Sequence, residues 1–461
     1  MPHFEKSTEI AATADDLYDY HAARGAFSRL TPPWEHADLV EDIPSLTNGV
    51  RARIQVGAGP ARLEWLAEHR DCEPGRGFTD VQLKGPFASW AHRHEFTALG
   101  EDRSRLTDRI KFRLPFGPLG LIAGEGFVQD KLTRMFRYRH TVTRQDLERA
   151  STLPAEEPLS IVITGATGLI GDELVPYLRM RGHTVRRVTR HPRSPGDIGW
   201  DPATGSIDFP RDEKVDAIIH LAGENIAGGR WTEERKRRIL ESRRDGTRLV
   251  AKLATSLSTP PRVLVSMSGA NYYATGPGEP RSENDPSGDD FLAGVCRVWE
   301  QETRPVAEAG IRVAILRLGV VLSPAGGALA KLLPLFRAGL GGPVGSGWQR
   351  MSWIAMDDVV DLLHRATIDP RYEGPINIAA PELPTNTAFA RTLGAVLRRP
   401  SFAPAPAFAL ETVFGEMADA TILADVAMAP RRLQELAYPF RFPTLAGALA
   451  HLTGSKPVEP E

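Results

Sequence analysis

The chain has 461 residues, enough for two or three hydrophobic cores, and its 56 basic and 58 acidic residues leave a net charge of −2. That balance supplies no single-sign field, so neither nucleic acid nor an anionic membrane is expected as a partner. Cys72 and Cys296 lie far apart and imply no disulfide framework; Met1–Ile10 holds no apolar signal core and no apolar run reaches transmembrane length, so a cytoplasmic protein is expected.

Phe4–Ile10 has the imperfect alternation of an edge or half-buried strand, and Thr13 stands where the N-cap of a following helix belongs. Five more strands are predicted at Arg51–Val56, Leu63–His69, Gly77–Leu83, Ala91–Leu99 and Ser104–Phe112, most of them separated by turn residues. Helical spacing with basic residues follows over Gln129–His140. His92 and His94 share one face of their strand. Flanked by Arg93 and Glu95, with no Cys or His partner at metal spacing, they read as partly exposed histidines rather than a zinc site, and no metal is expected.

This order of elements, with the phrase Trp90-Ala91-His92-Arg93-His94-Glu95-Phe96, resembles the helix-grip fold of START-like and polyketide-cyclase-like (SRPBCC) domains over residues 1–147. The resemblance implies a curved sheet around a long helix, enclosing a cavity for an apolar ligand. A filled core without ligand is the alternative. Residues 148–158, with Pro154 and Pro158 and no periodicity, read as a linker.

Ile161-Val162-Ile163-Thr164 then runs into Gly165-Ala166-Thr167-Gly168-Leu169-Ile170-Gly171, a β-branched strand, a glycine-rich turn and a helix start. Such a turn lets the backbone approach a pyrophosphate, which the helix N-terminus holds with N–H groups and positive partial charge. A plain βα turn is the bland alternative, and the strand–turn–helix context argues against it. The helix should reach about Arg181, with Gly182 at its C-cap. The next strand, Thr184–Thr189, ends at Arg190, where NAD-selective sites carry an acidic residue. A guanidinium there can pair with a 2′-phosphate, so NADP(H) is favoured, with Thr189 and Arg190 at the site; surface arginines on a loop are the alternative.

Val215–Gly223 reads as another buried parallel strand closing in Leu221, Ala222 and Gly223, followed by Glu224. Here the chain resembles extended short-chain dehydrogenases/reductases of the epimerase/dehydratase type. The phrases Leu221–Ile226, Arg230-Trp231, Lys236, Ser242-Arg243, Leu316–Ser323, Gly339–Pro343 and Trp353–Asp358 resemble an "epimerase family" subgroup of NADP-binding proteins over roughly 159–455, and Gly415-Glu416-Met417 and Pro430–Leu433 its DUF1731-like C-terminal extension. The resemblance places Leu221, Ala222, Gly223 and Glu224 behind the cofactor. It also implies a Ser that orients a carbonyl and a Tyr and Lys one helical turn apart that move the proton.

Ser268, at the end of a strand from Val263, matches the Ser. In the helix Phe291–Glu300, Leu292 and Cys296 fall at the Tyr and Lys places, and neither can do that work. Tyr272 and Tyr273 follow Ser268; Tyr273 matches the Tyr of a Val-Tyr-Gly phrase, with Arg297 as a substitute for the missing Lys. Cys296 is a nucleophile or, as free cysteines usually are, a small buried hydrophobe. Trp348 and Trp353 line a cleft or a core, Arg317 faces the site or pairs with a carboxylate, and Asp357-Asp358 suit a helix start. Helices are predicted at Ala407–Phe414 and Thr444–Leu452.

The expected architecture is an α+β helix-grip domain (1–147), a linker (148–158), then an α/β Rossmann-like doubly wound parallel sheet (159–385) with a small C-terminal lobe (386–455). Two functions fit. One is an NADP(H)-dependent oxidoreductase or epimerase-like enzyme with Ser268 and Tyr273 at the reacting oxygen of a small-molecule substrate, fed with an apolar ligand by the N-terminal domain. The other is an NADP(H)-sensing or ligand-binding regulator without turnover.

Overall fold

In the strand Ser89–Ala98 every second side chain, Trp90, His92, His94 and Phe96, is buried, the period of a sheet with one face on a core. The same rule organises the first of two compact units, 1–157 with 179–182; the second comprises 158–178 and 183–461. The computed structural model describes residues 2–57, 62–115, 117–150, 152–153 and 157–457, with the backbone alone for 117–123.

In the first unit β1 (His3–Ile10), α1 (Ala14–Ala22) and α2 (Ala26–Leu30) precede β2 (Ala37–Leu39), β3 (Arg51–Val56), β4 (Leu63–Glu73), β5 (Gly77–Lys84), β6 (Ser89–Ala98), β7 (Ser104–Arg113) and α3 (Gly117–Ala150). The strands form one antiparallel sheet in the order β1-β7-β6-β5-β4-β3-β2. Thr13 caps α1 as expected, in a reciprocal capping box with Asp16. Leu132 and Phe136 of α3 pack on Phe4, Trp90, Ile110 and Phe112. Ile10, Leu17, Tyr18, Phe78, Phe96 and Leu106 make a second apolar cluster nearer α1. The closing helix is longer than Gln129–His140 and runs past residue 147 to Ala150. Gly117-Pro118 at its start suggests a breaker, but Pro is tolerated in the first turn. His92 and His94 are not partly exposed: they retain 6% and 2% of their surface. Arg93 and Glu95 point to the opposite face and say nothing about the buried one.

The second unit runs β8 (Ser160–Thr164), α4 (Leu169–Met180), β9 (Thr184–Thr189), β10 (Ile198–Asp201), β11 (Ser206–Ile207), β12 (Ala217–His220), α5 (Glu233–Ser256), β13 (Val263–Gly269), α6 (Phe291–Gln301), α7 (Arg304–Glu308) and β14 (Arg312–Leu318). It continues through β15 (Val320–Leu322), α8 (Gly327–Arg337), β16 (Trp353–Ala355), α9 (Met356–Ile368), β17 (Gly374–Ile378), α10 (Asn386–Leu397), α11 (Ala407–Phe414), α12 (Arg431–Glu435) and α13 (Leu445–Thr453). The sheet order is β11-β10-β9-β8-β12-β13-β14-β17, parallel except for the β10–β11 hairpin. Its central strands are buried on both faces, and the cores lie on either side, one around α4 and α9, the other around α5. This is a doubly wound Rossmann-like sheet. The chain reverses its direction of travel between β8 and β12, and the crevice at their carboxyl ends is where such sheets bind ligands.

A third cluster joins Leu329, Leu333 and Phe336 of α8 to Phe389 and Leu393 of α10 and Leu445 and Leu449 of α13. Trp353 is fully buried within it, whereas Trp348 is exposed, so only Trp348 is free to line a cleft. Asp357 and Asp358 sit in the first turn of α9, as the sequence suggests. They also anchor the C-terminal segment: Asp358 accepts from the Tyr438 hydroxyl (2.9 Å) and Arg441 N (2.7 Å), and Asp357 lies 3.2 Å from His451 Nε2. Among the described residues no helix is long and apolar enough to cross a membrane.

Candidate functional site

The glycine-rich turn joins β8 to α4 at the switch point. Gly165 has φ +69°, and a Cβ there would come within 2.8 Å of Leu221 C and Ala222 N at the end of β12. Only glycine fits that conformation and that approach. At Gly171 a Cβ would meet Gly165 O at 2.5 Å, so α4 packs directly on the turn. Gly168 differs: within 4 Å its Cβ would meet only Gly165 O, at 3.3 Å. Thr167 and Gly168 are exposed, Ala166 and Gly171 buried, Leu169 and Ile170 half-buried. The turn therefore presents open backbone beside the first N–H groups of α4, which have no intrahelical acceptor. These residues fit a pyrophosphate.

The crevice floor is fixed by a neutral histidine. His220 is fully buried, its Nδ1 2.7 Å from Thr164 Oγ1 and its Nε2 3.1 Å from Thr247 Oγ1, linking β8, β12 and α5. Burial, and then the nearby Arg243 guanidinium, push its pKa down to about 3. Thr164 Oγ1 also accepts weakly from Ala222 N. Leu221 and Ala222 are half-buried and Gly223 exposed at the crevice. Glu224 donates its N–H to Ser242 Oγ at 3.0 Å, and its carboxylate lies 3.9 Å from Arg235. Thr189 and Arg190 close β9. Arg187 is tied to Asp197 (2.7 Å), but Arg190 is exposed and has no ion pair among the described residues.

Ser268 lies at the carboxyl end of β13, nearly buried, and donates to Glu300 Oε1 at 2.7 Å. Glu300 is gripped by Arg317, Nε to Oε1 at 2.9 Å and Nη2 to Oε2 at 2.8 Å. Arg317 Nη1 donates to the Tyr273 hydroxyl (2.8 Å), which itself donates to Asn377 Oδ1 (2.7 Å). Tyr273 keeps 1% of its surface, and burial pushes its pKa up to about 12. The Tyr273 hydroxyl, expected beside Ser268 at a reacting oxygen, is held by Arg317 and Asn377 in this network. Tyr272, half-buried, has the Arg317 guanidinium 3.5 Å over its ring and is the tyrosine with a solvent-facing side. Glu300 was missed because nothing in its local sequence marks it; its partners come from β13 and β14. Arg297 does not replace the absent Lys, since it donates to Ser287 Oγ (3.0 Å) and Gly288 O.

Cys296 is buried, and burial and then the nearby Glu300 push its thiol up to about 11. A thiol so rarely ionised is a small core hydrophobe. Brief treatment of the folded protein with iodoacetamide at about pH 8 is expected to leave Cys296 unmodified by mass spectrometry, in line with the pKa control of thiol reactivity; prompt alkylation there would restore a nucleophile.

Comparison with known proteins adds three findings. The NAD-dependent epimerase/dehydratase family matches residues 161–379, a domain of unknown function (DUF1731) matches 405–452, and the polyketide cyclase/dehydrase and lipid transport family matches 10–140. An epimerase family protein of Mycobacterium bovis is 37% identical over 294 residues, covering 64% of this chain and 97% of that protein. Among solved structures, a nucleoside-diphosphate sugar epimerase from Corynebacterium glutamicum aligns over 99% of this chain and 91% of its own, at 33% identity and TM-score 0.78. Human epimerase family protein SDR39U1, crystallised with NADPH, covers 64% of this chain and 99% of its own, at 36% identity and TM-score 0.61.

Proposed function

The chain belongs to the NAD-dependent epimerase/dehydratase family, and from that premise we propose that it binds NADP(H) and uses it in an oxidoreductase or epimerase-like reaction on a small molecule. The observation that carries the reading is the turn at Gly165, which has no room for a side chain and opens onto the N-terminus of α4. Gly165 to Gly171 and the α4 N–H groups hold the pyrophosphate. Arg190, with Thr189 beside it, takes the 2′-phosphate, and Leu221 to Glu224 back the dinucleotide. The human relative's NADPH complex supports the same choice of nucleotide. When bound, the nicotinamide supplies or accepts a hydride. Ser268, held by Glu300, presents its oxygen lone pairs to a substrate hydroxyl or polarises a carbonyl through a shifted proton, and Tyr272 offers the nearby hydroxyl. The N-terminal domain, a relative of lipid-transport domains, delivers an apolar ligand in this scheme.

A second reading, an NADP(H)-sensing regulator without turnover, is favoured by one observation: the Tyr273 hydroxyl is locked in the buried network, and α6 carries Leu292 and Cys296 where a Tyr and Lys would act.

Calorimetric titration separates the parts of this proposal. Arg190→Ala is expected to weaken NADPH binding by roughly 10- to 100-fold, as loss of charge-assisted hydrogen bonds does, with little change for NADH. Equal NADPH and NADH affinities in the unaltered protein would remove Arg190 from the site. Oxidation of bound NADPH by any member of a carbonyl substrate panel would end the sensor reading.

A further inference from the structure

We propose that the N-terminal domain binds a divalent first-row metal ion, with zinc as the reference ion, between Asp80, His92 and His94. The three come together by sheet register: His92 and Asp80 are direct cross-strand partners on β6 and β5, and His94 pairs across to Asp108 on β7. One ligand atom from each of Asp80, His92 and His94 lies within 4.8 Å of the other two. Residues two apart on a strand are spaced by about 6.6 Å along the chain, yet the His92 and His94 ring centroids are 3.9 Å apart. The rings are drawn together and tilted by 44° instead of standing parallel. His94 Nε2 lies 3.4 Å from Asp80 Oδ2, long for a hydrogen bond. Donor atoms around a tetrahedral ion with bonds of about 2.0–2.1 Å sit about 3.3 Å apart.

Behind these three stands the second layer that metal sites require. His69 Nδ1 holds Asp80 Oδ1 at 2.6 Å, on the carboxylate oxygen that His94 does not face. Asp108 Oδ1 lies 2.7 Å from His92 Nε2 and 2.7 Å from His94 Nδ1. That contact with His94 is out of hydrogen-bonding direction, so His94 Nδ1 is left buried without a hydrogen bond. Rotation of the ring as Nε2 engages a metal would align it with Asp108. His140 Nε2 secures the other oxygen of Asp108 at 2.8 Å and is itself held by Thr8. Phe78 of one apolar cluster stacks on the His94 ring at 4.2 Å, and Phe136 of the other stands edge-on to the His92 ring at 5.2 Å. His92 and His94 are almost fully buried, whereas the Asp80 side chain keeps 26% of its surface, so Asp80 is the ligand through which solvent reaches the cluster. Two imidazoles and one carboxylate suit zinc, iron(II) or cobalt(II).

The test uses the full chain, stripped with a chelator and dialysed, then titrated with Co²⁺ and Zn²⁺. One equivalent of Co²⁺ is expected to produce visible ligand-field bands that one equivalent of Zn²⁺ removes. His94→Gln and Asp80→Asn should each weaken Zn²⁺ binding at least 100-fold, and Asp108→Asn by roughly 10- to 100-fold as an outer-layer residue. His36→Gln, on the surface, should leave it unchanged. No saturable band in the unaltered chain overturns the proposal whether or not the variants fold. So does Zn²⁺ affinity that survives in a folded His94→Gln chain.

Discussion

Gly165→Ala is expected to abolish measurable NADPH binding and to lower the stability of the second unit by about 2–4 kcal/mol. The left-handed conformation costs an L-residue about 1–2 kcal/mol, and the rest comes from overpacking. The added methyl would stand 2.8 Å from two backbone atoms, Leu221 C and Ala222 N, and backbone cannot swing aside as a long side chain can. Relief requires β8 and β12 to part, and with them the crevice that Thr164 and His220 hold together. Gly168→Ala provides the contrast. Its methyl meets one atom, Gly165 O at 3.3 Å, and otherwise points into open space. That variant should fold with a loss below about 1 kcal/mol, since helix-forming Ala replaces Gly next to α4. It should still weaken NADPH by tenfold or more, about 1.4 kcal/mol, because the methyl occupies the side from which a pyrophosphate approaches. Thermal unfolding and calorimetry on the pair decide the matter. A Gly168→Ala chain with unaltered affinity would move the pyrophosphate off this turn.

That contrast also marks what the sequence made legible. The turn could be read because all its requirements are local: an apolar strand, glycines at fixed intervals and a helix start within a few residues. The strands Arg51–Val56 and Thr184–Thr189 and the helix Ala407–Phe414 were readable for the same reason, and the structure places each where its pattern lies. The buried networks were not readable. Ser268 meets Glu300 across 32 positions and Tyr273 meets Asn377 across 104, and both pairings depend on tertiary packing, of α6 on β13 in the first and of the segment after β13 near β17 in the second. Tyr273 carries a family phrase but turns its hydroxyl inward to Asn377 on β17, so a motif gave the residue without its direction. The His92–His94 pair shows a different failure. Period-2 geometry put both on one face, but the charges of Arg93 and Glu95 were allowed to set their exposure although those belong to the other face. Asp80 and Asp108, which complete the cluster, stand on neighbouring strands, and cross-strand register is invisible in a single sequence.

Arg317→Met is expected to destabilise the second unit by about 3–5 kcal/mol, the usual consequence of stripping the partner from a buried charge. Arg317 retains 3% of its surface, and its fork satisfies both oxygens of Glu300 while steadying Tyr273 and Glu283 O. Without it, Glu300 keeps only the Ser268 hydroxyl as a donor among these bonds. At roughly 2–4 °C per kcal/mol for a unit of this order, the melting temperature should fall by about 10 °C. Arg317→Lys keeps the charge and loses the bidentate geometry, so an intermediate fall is expected. The decisive variant is the double Arg317→Met/Glu300→Leu, which removes both charges. If the penalty is the orphaned carboxylate, the double variant must be more stable than Arg317→Met alone. If it is no better, the guanidinium acts through Tyr272 and Tyr273, whose rings it covers at 3.5 and 5.1 Å, and not through Glu300. Tyr273→Phe completes the argument. As a structural hydroxyl it should cost about 1 kcal/mol and leave any turnover in place, whereas turnover lost without loss of stability would place Tyr273 in the chemistry.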